Sequence, residues 1–246
     1  MSQATNSSSE QNLQTLALFD LDHTILDMDS DYGWGDFLVG RKLVDREWFA
    51  GRNDYFYQQY EAGKLDPVEY IAFVGQMFNM LGDDLQTQLA TYVDEVVTPK
   101  IRPQAIDALL AHAKAGDQIV VTSATNTVLV SAIVDKVVEL ASKQTGGAAK
   151  LKTPDVLGTV LEHDGQKFSG QIAGTPNFQA GKLVNLKRLI ADSDQRFAKS
   201  VAYSDSFNDL PLLEFADTAY AVTPDARLRA EAESRGWAIL DWSMSA

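Results

Sequence analysis

Cysteine is absent from this chain. That excludes disulfides, thiolate nucleophiles and cysteine-ligated metal sites, and it fits a reducing compartment, so a cytoplasmic protein is expected. Histidine is scarce: three residues, at positions 23, 112 and 163, lie far apart. A zinc site built from imidazoles is therefore not expected either. Basic residues are outnumbered, 21 against 34 acidic ones, for a formal net charge of −13. Such a chain is repelled by nucleic-acid phosphates and by anionic lipid, and neither is an expected partner. No apolar run approaches the ~18 residues that cross a bilayer. The N-terminal MSQATNSSSEQNLQ has no apolar segment of the kind a secretory signal needs, and residues 1–14 read as a disordered tail.

What the chain does have is a concentration of carboxylates in one place. In LALFDLDHTILDMDSD an apolar run ends at Asp20, and Asp22, Asp27, Asp29 and Asp31 follow. Like charges at that density repel, and burying one costs several kcal/mol unless something offsets it. The run before Asp20 reads as a buried strand over 15–19. Residues 29–98 differ in composition: aromatics crowd there at helical spacing, as in Trp34/Phe37 and Tyr70/Phe73. Asp66-Pro67 reads as a helix start. This stretch is expected to be an all-α insert or cap. Residues 15–28 and 99–246 are expected to form one α/β core, a doubly wound parallel sheet, because strand and helix patterns alternate there. Expected strands cover 118–121, 200–203, 219–222 and 237–240; 156–161, a turn at 164–165 and 170–173 read as strands or a hairpin. A loop is read at 145–147, and a helix over 127–140 with Asn126 as its cap.

Three of these buried strands end in polar clusters. The first runs into Asp20-Leu21-Asp22, the second into Thr122-Ser123, the third into Ser204-Asp205 with Asn208 and Asp209 beyond. In a doubly wound sheet, ligands bind outside the carboxyl ends of the strands, so the clusters converge if the strands are neighbours. Asp20 and Asp22 would then meet Asp205 and Asp209 around a cation. Clustered Asp without Cys points to oxygen ligands and Mg²⁺, which takes a few carboxylates, waters and substrate phosphate. The residue types leave Mn²⁺ and Co²⁺ open as replacements.

These residues also carry a resemblance. DLDHT at 20–24 resembles the DxDx[TV] motif of the haloacid dehalogenase superfamily. Ser123 resembles its second motif, with Thr122 the alternative one residue earlier. Lys182 in GTPNFQAGK resembles the third, and YSDSFND at 203–209 the fourth. The insert resembles the helical cap of the phosphoserine-phosphatase-like subfamily. The resemblance implies a phosphatase whose nucleophile is Asp20, forming an aspartyl-phosphate. Asp22 would be general acid and then general base, and its main-chain carbonyl would face the metal. Asp20, Asp205 and Asp209 would complete the Mg²⁺ site, Asp209 directly or through water. Ser123, Lys182 and Asn208 would bind the phosphoryl group. Asp29 occupies the place where an acidic residue of that subfamily meets the substrate ammonium.

Those relatives also use a cap arginine for the serine carboxylate, and residues 70–77 here contain none; Arg41, Arg46 and Arg52 lie earlier. A substrate carboxylate would go unpaired. The expected substrate is thus a small phosphorylated metabolite with an ammonium and no carboxylate, a phosphorylated amino alcohol; the resemblance implies histidinol phosphate, which some members of that subfamily hydrolyse and whose imidazole would stack on cap aromatics. The alternatives are phosphoserine, or a phosphotransferase or mutase using the same site, or a non-enzymatic binder of phosphorylated ligands. A monomer or homodimer is expected.

Overall fold

The computed structural model describes residues 14–146, 151–193 and 195–244. At its centre lies QTLALFD, strand β1 (Gln14–Asp20). Helices cover both faces of this strand, so its alternating side chains enter two cores rather than core and water. Ala17 and Phe19 join Leu109 of α5 (Pro103–Ala115) and Ile133 of α6 (Thr127–Gln144). Leu16 and Leu18 join Leu186 of α7 (Ala180–Asp192), Leu213 of α8 (Leu210–Phe215) and Leu228 of α9 (Ala226–Arg235).

Five further strands complete the sheet: β2 (Gln118–Asn126), β3 (Asp155–Thr159), β6 (Phe197–Ser204), β7 (Thr218–Val222) and β8 (Ala238–Leu240). Their order is β3-β2-β1-β6-β7-β8, and every pairing is parallel. The chain runs outward from β1 to β3 on one side, then crosses to β6 on the other. The order therefore reverses at β1, and its carboxyl end is the crevice where such sheets bind ligands. The register sets Asp20 beside Thr122, and Phe19 beside Tyr203. The three expected polar strand ends emerge side by side. The expected tail needs one correction: Gln14 belongs to β1, and its side-chain amide donates to the Gly116 carbonyl at 2.9 Å. Residues 1–13, and Gly147 of the expected loop, lie outside the described residues.

Between β1 and α5 the chain forms four helices: α1 (Ser30–Gly40), α2 (Arg46–Glu61), α3 (Pro67–Leu81) and α4 (Leu85–Tyr92). The first three begin on aspartate caps. Asp29 accepts from Tyr32 N at 2.7 Å, Asp45 from Trp48 N at 2.8 Å and Asp66 from Val68 N at 2.9 Å. Each satisfies a backbone donor that the first turn leaves without a partner. The helical spacing of aromatics becomes an aromatic core, in which the Phe73 ring centre lies 5.1–5.5 Å from those of Phe49, Phe56 and Trp48. The two chain crossings into this insertion pair with each other. Asp27 N donates to Lys100 O at 2.7 Å, and Arg102 N to Ile25 O at 2.9 Å. The buried Arg102 side chain ties them further, to Asp27 at 2.8 Å and to the Trp242 carbonyl at 2.6 Å.

The expected strand over 156–161 is split between two sheets. β3 ends in the main sheet at Thr159, and β4 (Leu161–His163) then pairs with β5 (Phe168–Ile172) as a separate antiparallel hairpin. The hairpin docks on α3. Asn79 of that helix donates to Phe168 O at 2.8 Å and accepts from Phe168 N at 2.9 Å. Glycines make the close approach possible: a Cβ on Gly75 would stand 3.1 Å from the Gly170 Cα.

Candidate active site

Asp20 shares the parity of Leu16 and Leu18 on β1 and so faces α7, whose third residue is Lys182. The turn into α7 is tight. Gln179 has φ +48°, and a Cβ on Gly181 would lie 2.0 Å from the Pro176 carbonyl oxygen. A non-glycine residue held at positive φ is a strained arrangement of the kind that gathers at functional sites. It delivers Lys182 Nζ to 2.6 Å from Asp20 Oδ1 and 2.8 Å from Asp209. All three side chains are buried. Ser204 Oγ donates to Asp209 as well, at 2.8 Å.

After β1 the chain turns sharply over Leu21–Ile25, with His23 at φ +56°. The turn aims Asp22 inward. Its carboxylate accepts from Ser30 N at 2.7 Å, Ser123 Oγ at 2.8 Å and Thr125 Oγ1 at 3.1 Å. Both hydroxyls can rotate to accept instead, so the carboxyl can take up and give back a proton without losing its partners. The same turn places Thr24, whose hydroxyl donates to Asp205 Oδ1 at 3.1 Å and accepts from Asp205 N at 3.0 Å. Of the two candidates on β2, Ser123 faces Asp22, while Thr122 Oγ1 accepts from Asn177 Nδ2 at 2.9 Å. Asn208 lies against the insertion: it donates to Tyr60 O at 3.3 Å and accepts from Gln179 Nε2 at 3.3 Å. Gln179 also donates to Gly63 O at 3.2 Å, so the end of α2 rests on the loop that carries the fourth motif.

Charge is crowded here. Burial raises the Asp20 carboxyl well above the usual carboxylate range; Lys182 opposes this, and Asp209, Asp205 and Asp22 add to it. Burial, reinforced by Asp209, pushes Asp205 up to about 8 against the pull of Thr24 and Lys182. Among the described residues no three carboxylate or imidazole side chains already surround one point. Lys182 lies between Asp20 and Asp209, Asp22 faces Ser123, and Asp205 faces Thr24. The donor set nevertheless suits Mg²⁺: several buried oxygen donors, no sulfur, and more negative charge than one ammonium offsets.

On the insertion side of Asp22 opens a cavity of about 450 Å³, counting its mouth. Asp29 and Asp31 line it, with Tyr32, Tyr57, Tyr60 and Tyr70. No lysine or arginine is among the lining residues. Arg41 pairs with Glu95, the Arg52 guanidinium sits over Trp48 at 5.6 Å, and Arg46 is exposed. Burial and the nearby Asp22 charge push Asp29 up to about 6, against the Tyr32 backbone N–H. Burial pushes Asp31 up to about 7, opposed by a Tyr70 hydrogen bond and reinforced by Asp29 and Asp22.

The native state therefore holds protons on Asp29, Asp31 and Asp205 that the unfolded chain, with Asp near 3.9, gives up. Folded pKa values above the unfolded ones mean stability falls as pH rises from about 4 to 8. In chelator the melting temperature should drop between pH 5 and pH 8, and millimolar Mg²⁺ should restore more of it at pH 8 than at pH 5. A melting temperature that climbs across that window in chelator would contradict this electrostatic reading.

Residues 17–214 match the family model described as haloacid dehalogenase-like hydrolase. This chain belongs to that family. A histidinol-phosphatase of Neisseria meningitidis serogroup C (strain 8013) is 31% identical over 236 residues, spanning 94% of this chain and 100% of that one. Phosphoserine phosphatase SerB1 of Mycobacterium tuberculosis (strain ATCC 25618 / H37Rv) is 28% identical, over 95% of this chain and 73% of that one. Among solved structures, a Bordetella pertussis Tohama I protein of unknown function superposes with a TM-score of 0.80 at 32% identity, covering 94% and 100% of the two chains. A substrate-bound phosphoserine phosphatase shares the fold, with a TM-score of 0.58 at 14% identity and 92% of each chain covered. This haloacid dehalogenase-like hydrolase is a phosphatase acting on a small phosphomonoester. Among its described residues no helix is long and apolar enough to cross a membrane.

Several contributors escape sequence reasoning. Thr24 stands inside DLDHT, where its motif position alone signals it. Thr125, Ser204 and Asn177 give no such sign. Asn177 is fully buried and donates to Thr122 Oγ1, Ser123 O and Leu157 O at 2.8–2.9 Å, pinning the end of β2. Asp31, read as the start of the insert, lines the cavity.

Proposed function

We propose that this phosphatase hydrolyses a phosphorylated amino alcohol without a carboxylate, of which histidinol phosphate is the best fit. The observation that carries the reading is the cavity at Asp22: two further carboxylates, four tyrosines and no cationic side chain line it. An ammonium gains a partner there, and a carboxylate gains none. The 31% identical relative named histidinol-phosphatase supports the same choice.

The roles follow from position. Asp20 attacks phosphorus in line, its oxygen forming the P–O bond of an aspartyl-phosphate as the bond to the alkoxide breaks. Asp22 gives its proton to the departing oxygen, then takes one from the water that cleaves the aspartyl-phosphate and releases phosphate. Lys182 and Ser123 move from their carboxylate partners to the phosphoryl oxygens and offset the charge that builds there. Asp20, Asp205, Asp209 and the main-chain carbonyl of Asp22 would hold Mg²⁺, which would supply the positive charge that a dianionic phosphate needs to approach these acids. Residues 29–98 act as a cap, closed down through Asn208 and Gln179, and exclude water from the aspartyl-phosphate.

Purified enzyme with Mg²⁺, assayed for phosphate release, should show kcat/KM for histidinol phosphate at least tenfold above that for phosphoserine. Equal or faster turnover of phosphoserine would overturn the substrate assignment.

A further inference from the structure

The cavity carries more acceptor chemistry than an ammonium needs: Asp29 and Asp31 both line it, with Phe56 and four tyrosines. Asp29 already uses one oxygen to cap α1, and the Asp22 charge acts on it. Beyond it the wall continues through Asp31, Phe56 and Tyr70.

Asp31 is not built like a helix-start aspartate that merely faces water. Asn126 Nδ2, from the end of β2, donates to its Oδ1 at 3.3 Å. Tyr70 of α3 and Thr125, beside Asn126 on β2, also act on its carboxyl. Two segments besides its own thus converge on this carboxylate. A carboxylate has about four acceptor positions, so capacity remains on the cavity side. None of the converging groups is a cation, and no lysine or arginine lines the space. The arrangement fixes the carboxylate in place and leaves its charge uncompensated.

We propose that Asp31, oriented by Tyr70 and Asn126, is a specificity-determining residue that binds an N–H group on a nitrogen heterocycle carried by the substrate, distinct from the ammonium met by Asp29. The inference rests on the amino-alcohol reading above and extends it. The cavity reads two nitrogen centres, one aliphatic and one in a ring. An imidazole fits: it is planar, it can lie against Phe56 and the tyrosines, and its N–H or imidazolium matches a carboxylate. Simple amino alcohol phosphates satisfy Asp29 alone and leave the Asp31 carboxylate without a cationic or N–H partner from the substrate, which disfavours them.

The test is a ratio. In the wild type with Mg²⁺, kcat/KM is measured for histidinol phosphate and for O-phosphoethanolamine, which has the ammonium but no ring. Asp31→Asn should lower the ratio of the two at least tenfold, chiefly through KM for histidinol phosphate. Tyr70→Phe, a milder change that keeps the ring and removes the donor, should lower it about threefold. A ratio unchanged in both variants overturns the proposal, because a residue that merely supports the cap would move both substrates together. A second readout does not depend on turnover: calorimetric binding of L-histidinol and of ethanolamine to the Mg²⁺-loaded protein. L-Histidinol should bind the wild type at least tenfold more tightly than ethanolamine, and Asp31→Asn should erase most of that margin. Equal binding of the two amines by the wild type overturns the proposal. Preference for phosphoserine in the assay, with the histidinol margin intact, overturns the substrate reading instead.

Discussion

Asp20→Asn should lower kcat by about 10⁴-fold or more, the scale on which removal of a nucleophile is felt. The amide matches the carboxylate in shape, but it does not accept phosphorus to give a hydrolysable acyl phosphate. The fold should tolerate the change. Lys182 keeps Asp209 at 2.8 Å and gains the amide oxygen as a neutral acceptor. Asp20 is also a carboxylate whose charge burial opposes, so in chelator the variant should melt no lower than the wild type at pH 8. Acid quenching with ³²P-labelled substrate should trap label on the wild type and none on the variant. Turnover within tenfold of the wild type, or label retained by the variant, would remove Asp20 from the chemistry.

The second large effect is on stability. Lys182→Met preserves much of the stem volume and deletes the one ammonium between Asp20 and Asp209. Breaking a buried pair by removing one partner costs about 3–5 kcal/mol, because the remaining charge stays buried without compensation. For a chain of this size that corresponds to a melting temperature lower by roughly 6–20 °C in chelator. Mg²⁺ should recover part of the loss by taking over the same carboxylates. Activity should fall about 10²–10³-fold even with Mg²⁺, as for the loss of one donor to a transition-state oxyanion. An unshifted melting temperature in chelator would show that the pair at 2.6 Å does not hold the site together.

Much of this was legible in the chain, for identifiable reasons. β1 could be read because burial on both faces leaves a continuous apolar run, and because that run stops at an aspartate. The helices of the insertion were readable from aromatics at helical spacing and, for α3, from the Asp66-Pro67 start; the Asp29 and Asp45 caps were not. Strand ends bearing Asp20, Ser123 and Asp205 converge because parallel order brings them to one edge, which topology rules anticipate. Contacts that depend on the exact packing of distant segments were not readable. Thr24 reaches Asp205 across 181 positions, and Asn177 closes on Thr122 across 55. Asp31 looked like one more acid in a charged stretch; its role in the cavity depends on Tyr70 and Asn126 arriving from two other elements. The hairpin was one of the two readings of its turn at Asp164-Gly165; the change of sheet was not readable, because Val156 to Leu161 is mostly apolar and nothing local shows that the strand breaks after Thr159.

The hairpin changes how the lid can move. A cap hung only on its two paired crossings would swing like a door. Here a third mooring, Asn79 gripping both backbone groups of Phe168 over a glycine contact, ties α3 to the hairpin. Opening must carry the hairpin along or peel it away, and either course adds a barrier remote from the phosphorus. Under the proposed cap motion, the pace at which alcohol and phosphate depart would then depend on a contact that touches neither.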